Sequence, residues 1–262
     1  MTPDADQRRR LVTIVAFAIT VSINTAAVLL PLNGSSTAEI SARFPALVIP
    51  ANYVFSIWSV IYLALLGFTV FQATPGRRSD ARLRRIGYLP ALSGVLNAGW
   101  VVLWHYEIFA LTVPVMVSLL VTLAVIYIRL DIVRRPVALV DRILIDLPWS
   151  LYLGWITVAT IANVTQTLVW LGFRGGPIAE EAWAVAVLAL GVAIAARVVL
   201  RHRDLVYAAV IIWAYAGIAV NQAGSPVVVA TALGGAAAIA MLAAASRLRP
   251  PPGHRTAAAQ AA

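Results

Sequence analysis

Residues 107–130 read EIFALTVPVMVSLLVTLAVIYIRL. The 21 positions between Glu107 and Arg129 hold no charged side chain. A helix needs about 20 apolar residues to cross the hydrocarbon core of a bilayer. The apolarity is continuous and lacks the alternation of a barrel strand. In lipid every backbone N–H and C=O must be paired within the protein, so a run of this kind is read as a membrane-spanning helix.

Similar runs lie on both sides of it. The spans are read at 11–31, 53–73, 86–104, 107–130, 143–171, 181–200, 205–221 and 225–246. The expected fold class is all-α: a polytopic transmembrane helical bundle of about eight helices. Only His105 and Tyr106 separate the third span from the fourth, which implies a tight turn. The fifth run is long and must either tilt or extend past the membrane. The first follows Arg8, Arg9 and Arg10, as a signal peptide would. It is as long as a full span and has no small-x-small cleavage pattern, so it is read as the first helix.

Of the 262 residues, 61% are hydrophobic and only 12% charged. A soluble domain carries about 25% charged residues. The net charge of +9 does not indicate a nucleic-acid partner, because the basic residues flank the apolar runs and form no long tract. All 20 basic residues are arginine. With the N-terminal side counted as inside, 18 of the 20 arginines fall inside, and only Arg43 and Arg174 fall outside. Arginine enrichment marks cytoplasmic loops. Both termini are therefore expected in the cytoplasm, and the arginine-for-lysine bias suggests a bacterial plasma membrane. Cysteine is absent, which excludes disulfides and thiol chemistry.

The eight tryptophans are the most informative residues. Trp170 and Trp183 suit interfacial anchors. Trp58, Trp100, Trp104, Trp155 and Trp213 fit that role less well. In span two Phe55, Trp58 and Tyr62 share a helical face. Asn97, Trp100 and Trp104 share one in span three, as do Tyr152, Trp155, Ala159 and Asn163 in span five. An amide inside a membrane helix points toward another helix, water or a ligand. The three faces either glue helices together or line one apolar pocket with a few polar contacts, the usual make-up of a small-molecule site.

The segment Pro50…Phe55-x-x-Trp58-x-x-Ile61-Tyr62 resembles the signature opening the second helix of the TspO/MBR family, the tryptophan-rich sensory proteins. Ile61 stands where that family has leucine. Asn97-x-x-Trp100 is similar to the family's helix-three pair. The segment 151–163 resembles its helix-five motif, with Leu151 in place of the motif proline and Val158 in place of its phenylalanine. The resemblance covers 11–172 as a five-helix bundle. It leaves 1–10 as a cytoplasmic N-terminus, 173–248 as three additional helices and 249–262 as a Pro/Ala-rich tail expected to be disordered. It implies binding of a planar hydrophobic molecule, a tetrapyrrole such as a porphyrin or haem, or a sterol, in sensing or transport. The pocket candidates it implies are Trp58, Asn97, Trp100, Trp155 and Asn163, followed by Tyr62 and Tyr152. No cofactor is required beyond such a porphyrin or haem ligand. The expected partners are membrane lipid and that hydrophobic small molecule, and a homodimer is compatible with the sequence.

Other signals are weaker. Asp146 is expected to pair with Arg142 or another loop arginine. His105 and Glu107 are expected in an exposed turn, and one His with one Glu makes a poor metal site. His202 is read as part of a basic loop. Ala236, Ala240 and Ala244 are read as a close-packing stripe. The polar segment 33–52 either folds over the outer mouth of the bundle or is a plain connector. No catalytic or metal-ligating set is expected. Two alternatives stay open: a secondary transporter of a small metabolite, and a membrane enzyme acting on an isoprenoid or lipid.

Overall fold

The computed structural model describes residues 3–30 and 32–248; the tail expected to be disordered lies outside the described residues. The helices in chain order are α1 (Pro3–Leu29), α2 (Thr37–Arg43), α3 (Ile57–Ala73), α4 (Ala81–Ile86), α5 (Leu89–His105) and α6 (Phe109–Arg129). They continue with α7 (Leu139–Asp141), α8 (Leu147–Trp170), α9 (Glu180–His202), α10 (Leu205–Asn221) and α11 (Pro226–Leu248). The eight long ones coincide with the eight runs read from the sequence. Six helical stretches, containing α1, α3, α6, α8, α9 and α11, are long and apolar enough to cross a membrane. Helices α5 and α10 have 17 residues each, close to the lower limit for a span. The protein is an integral membrane protein built as an all-α bundle.

Helix α8 is the hub: 72% of its most apolar stretch is buried. It packs against α6 on one side and α10 on another, with α3 also against it. Its hydroxyls are hidden by bonding back along the helix, as in Thr157 to Leu153 O and Thr160 to Ile156 O. That is the usual way for threonine to sit within a lipid-embedded helix. The long fifth run is not a uniform α-helix. A π-helical turn at Arg142–Asp146 precedes α8.

The last three helices are part of the bundle. Helix α10 packs on α8, and α9 and α11 pack on α10 and on each other. The stripe on α11 differs from the expected one. Ala236 is buried, but Ala240 and Ala244 are exposed. The buried face runs through Ala232, Gly235, Ala236, Ile239 and Ala243, following the 3.6-residue period rather than a strict step of four.

Charge segregates by end. Arg77 pairs with Asp80 at 2.9 Å and with Asp141 at 2.6 Å, and Arg85 lies 3.6 Å from Asp131. Arg82 pairs with Asp146, and Arg84 with Asp6. The partner of Asp146 is thus another loop arginine, and not Arg142. At the other end stand Arg43–Glu107 at 2.8 Å and Arg174–Glu180 at 3.6 Å. This division matches the alternation of arginines along the chain.

Candidate functional site

Near the end that the arginine count assigns to the outside, α3, α5, α6 and α8 frame a cavity of about 40 Å3 lined by Phe55, Trp58, Trp100, Trp104, Met116, Trp155, Ala159 and Asn163, among others. No lining residue is charged. The aromatic rings pack mainly edge to face, the favoured arrangement for rings in contact. Trp155 stands edge-on to Phe55 at 5.6 Å and to Trp58 at 6.0 Å. Trp100 stacks on Trp104 at 5.4 Å.

Asn163 ties three helices together. Its Oδ1 accepts the Trp100 indole N–H at 2.8 Å, and its Nδ2 donates to Thr112 Oγ1 at 2.8 Å and to Thr167 Oγ1 at 3.3 Å. The indole N–H groups of Trp104 and Trp155 have no acceptor among the described residues.

One turn further inward lies a second polar set. Asn97 Oδ1 accepts from Asn24 Nδ2 at 2.8 Å and from the Tyr62 hydroxyl at 3.4 Å. Tyr62 stacks on Trp58 at 5.3 Å, and Tyr152 meets the Trp58 edge at 5.9 Å. The seven residues singled out by sequence are therefore brought together in two tiers. Trp58, Trp100, Trp155 and Asn163 line the cavity, while Tyr62, Asn97 and Tyr152 support it from below. Trp213, set apart from the interfacial tryptophans by sequence, is instead 41% exposed on α10. Its indole donates to Val54 O at 3.3 Å.

The segment 33–52 folds over the outer mouth. Helix α2 carries a capping box, with Ser36 Oγ accepting from Glu39 N at 3.2 Å and Ser36 N donating to Glu39 Oε2 at 2.7 Å. The Ser36 N–H, and the Ser36 hydroxyl with it, holds the Glu39 carboxyl below the usual carboxylate range. Gln166 on α8 latches the lid: its Nε2 donates to Ser41 O at 3.0 Å, Ser41 Oγ at 2.8 Å and Phe44 O at 3.3 Å.

His105 differs from its expected place. It is 1% exposed rather than part of an exposed turn. Its Nδ1 lies 2.8 Å from Val101 O, and its Nε2 lies 3.3 Å from Thr37 Oγ1 under the lid. His202 is also not a loop residue: it ends α9 and meets the Tyr127 ring at 5.1 Å.

Sequence reasoning left Asn24, Gln166 and the lid residues Thr37 and Ser41 out of the site. The signal for Asn24 and Gln166 was present, since each is an amide within an apolar run. Neither has an aromatic-face pattern around it, so neither was tied to the others.

Outside the lid a wider cleft of about 530 Å3 is lined by Asn52, Arg174, Glu180, Asn221 and Gln222. It shares Ser41, Ile49 and Pro50 with the inner cavity.

Among the described residues no group of three His, Cys, Asp or Glu side chains is placed to hold a metal ion. Neither the curated proteins nor the solved structures contain a match to this chain. The family model of TSPO-like proteins matches residues 10–245, so the match takes in the last three helices, which the motifs alone had left outside, and the chain belongs to the TSPO-like protein family.

Proposed function

We propose that the protein binds a planar hydrophobic small molecule, a tetrapyrrole such as a porphyrin, between α3, α5 and α8, and that its role is binding and transfer rather than catalysis. The observation that carries this reading is the cavity of four tryptophans without a charged residue, beneath a hydrogen-bonded lid. Flat apolar indole faces suit a flat apolar ligand. The cavity in this conformation has room for only a few waters, whereas ligand sites commonly span about 300–1,000 Å3. Binding therefore requires the Phe55 and Trp58 rings to swing aside and the Gln166 latch to release. Transport is favoured over sensing by the outer cleft, which meets the cavity across Ser41, Ile49 and Pro50. A bacterial plasma membrane is the setting this reading assumes.

The test is titration of detergent-purified protein with protoporphyrin IX, followed by quenching of tryptophan fluorescence. Saturable binding is expected, about tenfold weaker in the Trp100→Phe/Trp155→Phe double variant. Saturable binding that the double variant leaves unchanged would move the ligand out of this cavity. No saturable binding would remove the tetrapyrrole reading.

A further inference from the structure

The inner end of the bundle holds a charge arrangement that the cavity does not use. Asp6 and Arg9 on α1 are buried, at 2% and 1% exposure. Arg84 on α4 reaches Asp6 through its Nε, at 3.1 Å from Oδ1 and 3.0 Å from Oδ2. Arg9 Nε is left 4.0 Å from Asp6 Oδ1. Arg10 donates from Nη2 to Ala73 O, at the end of α3. Two guanidinium groups, those of Arg84 and Arg9, thus share one carboxylate, and the third, Arg10, turns to a backbone carbonyl.

Arg9 Nε and Nη2 and Arg10 Nε are buried without a hydrogen-bond partner among the described residues. A buried charged group left unpaired is among the costlier features a protein can carry. An arginine at a helix end in a membrane normally extends to water along its apolar stem. Arg8, its neighbour, is exposed, and Arg9 is not. The surplus is positive, it faces the arginine-rich end of the bundle, and the unused nitrogens belong to guanidinium forks. A guanidinium fork matches two oxygens of a phosphate. Anionic lipid at the cytoplasmic surface attracts basic residues placed there.

We propose that the inner ends of α1, α3 and α4 form a phosphate site for the headgroup of an anionic lipid, with Arg9 as its central donor and Arg10 beside it. With the Arg9 side chain turned outward from its buried position, the phosphodiester accepts from the nitrogens that the protein leaves unbonded and balances the surplus charge around Asp6. The acyl chains lie along the exposed apolar flank of α1 beside Arg9, where Val12 is 44% and Ile19 47% exposed. A free phosphate offers the same oxygens without the chains.

The test is thermal unfolding of the full chain in detergent, with added phosphatidylglycerol, phosphatidylcholine or inorganic phosphate. Phosphatidylglycerol is expected to raise Tm by about 3 °C or more in the unmodified protein. The same rise is expected in Arg8→Gln, which removes an equal charge from the same helix. In Arg9→Gln the rise should disappear. An equal rise in Arg9→Gln, or none in the unmodified protein, overturns the site. An equal rise from phosphatidylcholine overturns the choice of an anionic lipid, and one from inorganic phosphate overturns the lipid assignment. If Arg9→Gln does not fold, Arg10→Gln reads the same site: its rise should fall by at least half, and an undiminished rise overturns the proposal.

Discussion

Asn163 shows how a single amide organises the site. It joins Trp100 on α5, Thr112 on α6 and its own helix through three hydrogen bonds. In lipid such a group has no water to fall back on, so its partners define where it stands. Asn163→Leu leaves the Trp100 N–H and the Thr112 hydroxyl without their partner. The expected cost is about 1–3 kcal/mol, seen as a lower Tm in detergent; an unchanged Tm would mean these bonds do not hold the helices together. The aromatic and amide faces on α3, α5 and α8 were legible because a helical period puts them in register within one segment. Asn24 was not, because its value comes from meeting Asn97, 73 residues away.

At the scale of elements, α2 covers the cavity, which Thr37 and Ser41 help to line. It has seven residues, too few to be stable as an isolated helix in water. The capping box and the Gln166 latch hold it. Ser36→Ala should destabilise the lid by about 1 kcal/mol, giving faster amide exchange over 37–43 and little change in α8. The pH dependence follows from Glu39, whose carboxyl is held below its ordinary range by the Ser36 N–H and hydroxyl. A depressed carboxylate pKa stabilises the folded state above the unfolded value, and that stabilisation is lost as pH falls through the folded value. Protection of the 37–43 amides relative to their intrinsic exchange should therefore fall on acidification, and Glu39→Gln, which removes the titrating carboxyl, should flatten that dependence. A dependence that persists in the variant would assign it to another group. The sequence allowed both a cover and a plain connector for this segment. The choice is made by Gln166, more than 120 residues away.

At the scale of the whole molecule, the last three helices brace the site. Ala51 N donates to Gly217 O at 3.0 Å, and Asn221 Nδ2 donates to Ile49 O at 3.0 Å. Together with Trp213, these bonds fasten the segment that carries Ile49, Pro50 and Phe55 to α10. The fit leaves no room at Gly217: an added Cβ would lie 2.1 Å from Val54 Cγ2. Gly217→Ala should cost about 1–3 kcal/mol and weaken porphyrin binding by shifting the cavity wall. Gly234→Ala on α11, where nothing lies within 4 Å, serves as the control and should leave binding unchanged and stability equal or slightly higher. Equal effects from the two would show that the brace does not matter. By itself the sequence determined that the chain is a helical membrane bundle, where its long helices run, which end is rich in arginine and which aromatic faces face inward. These are consequences of local apolarity and of the 3.6-residue period, and neither depends on which helix lies beside which. The tertiary structure alone decided the folding of 33–52 into a lid, the burial of His105, the pairing of Asp146 with Arg82 and the bracing by α10. Each of these is a contact between segments distant in the chain, and a one-dimensional pattern carries no information on which polar groups will meet once the helices have packed.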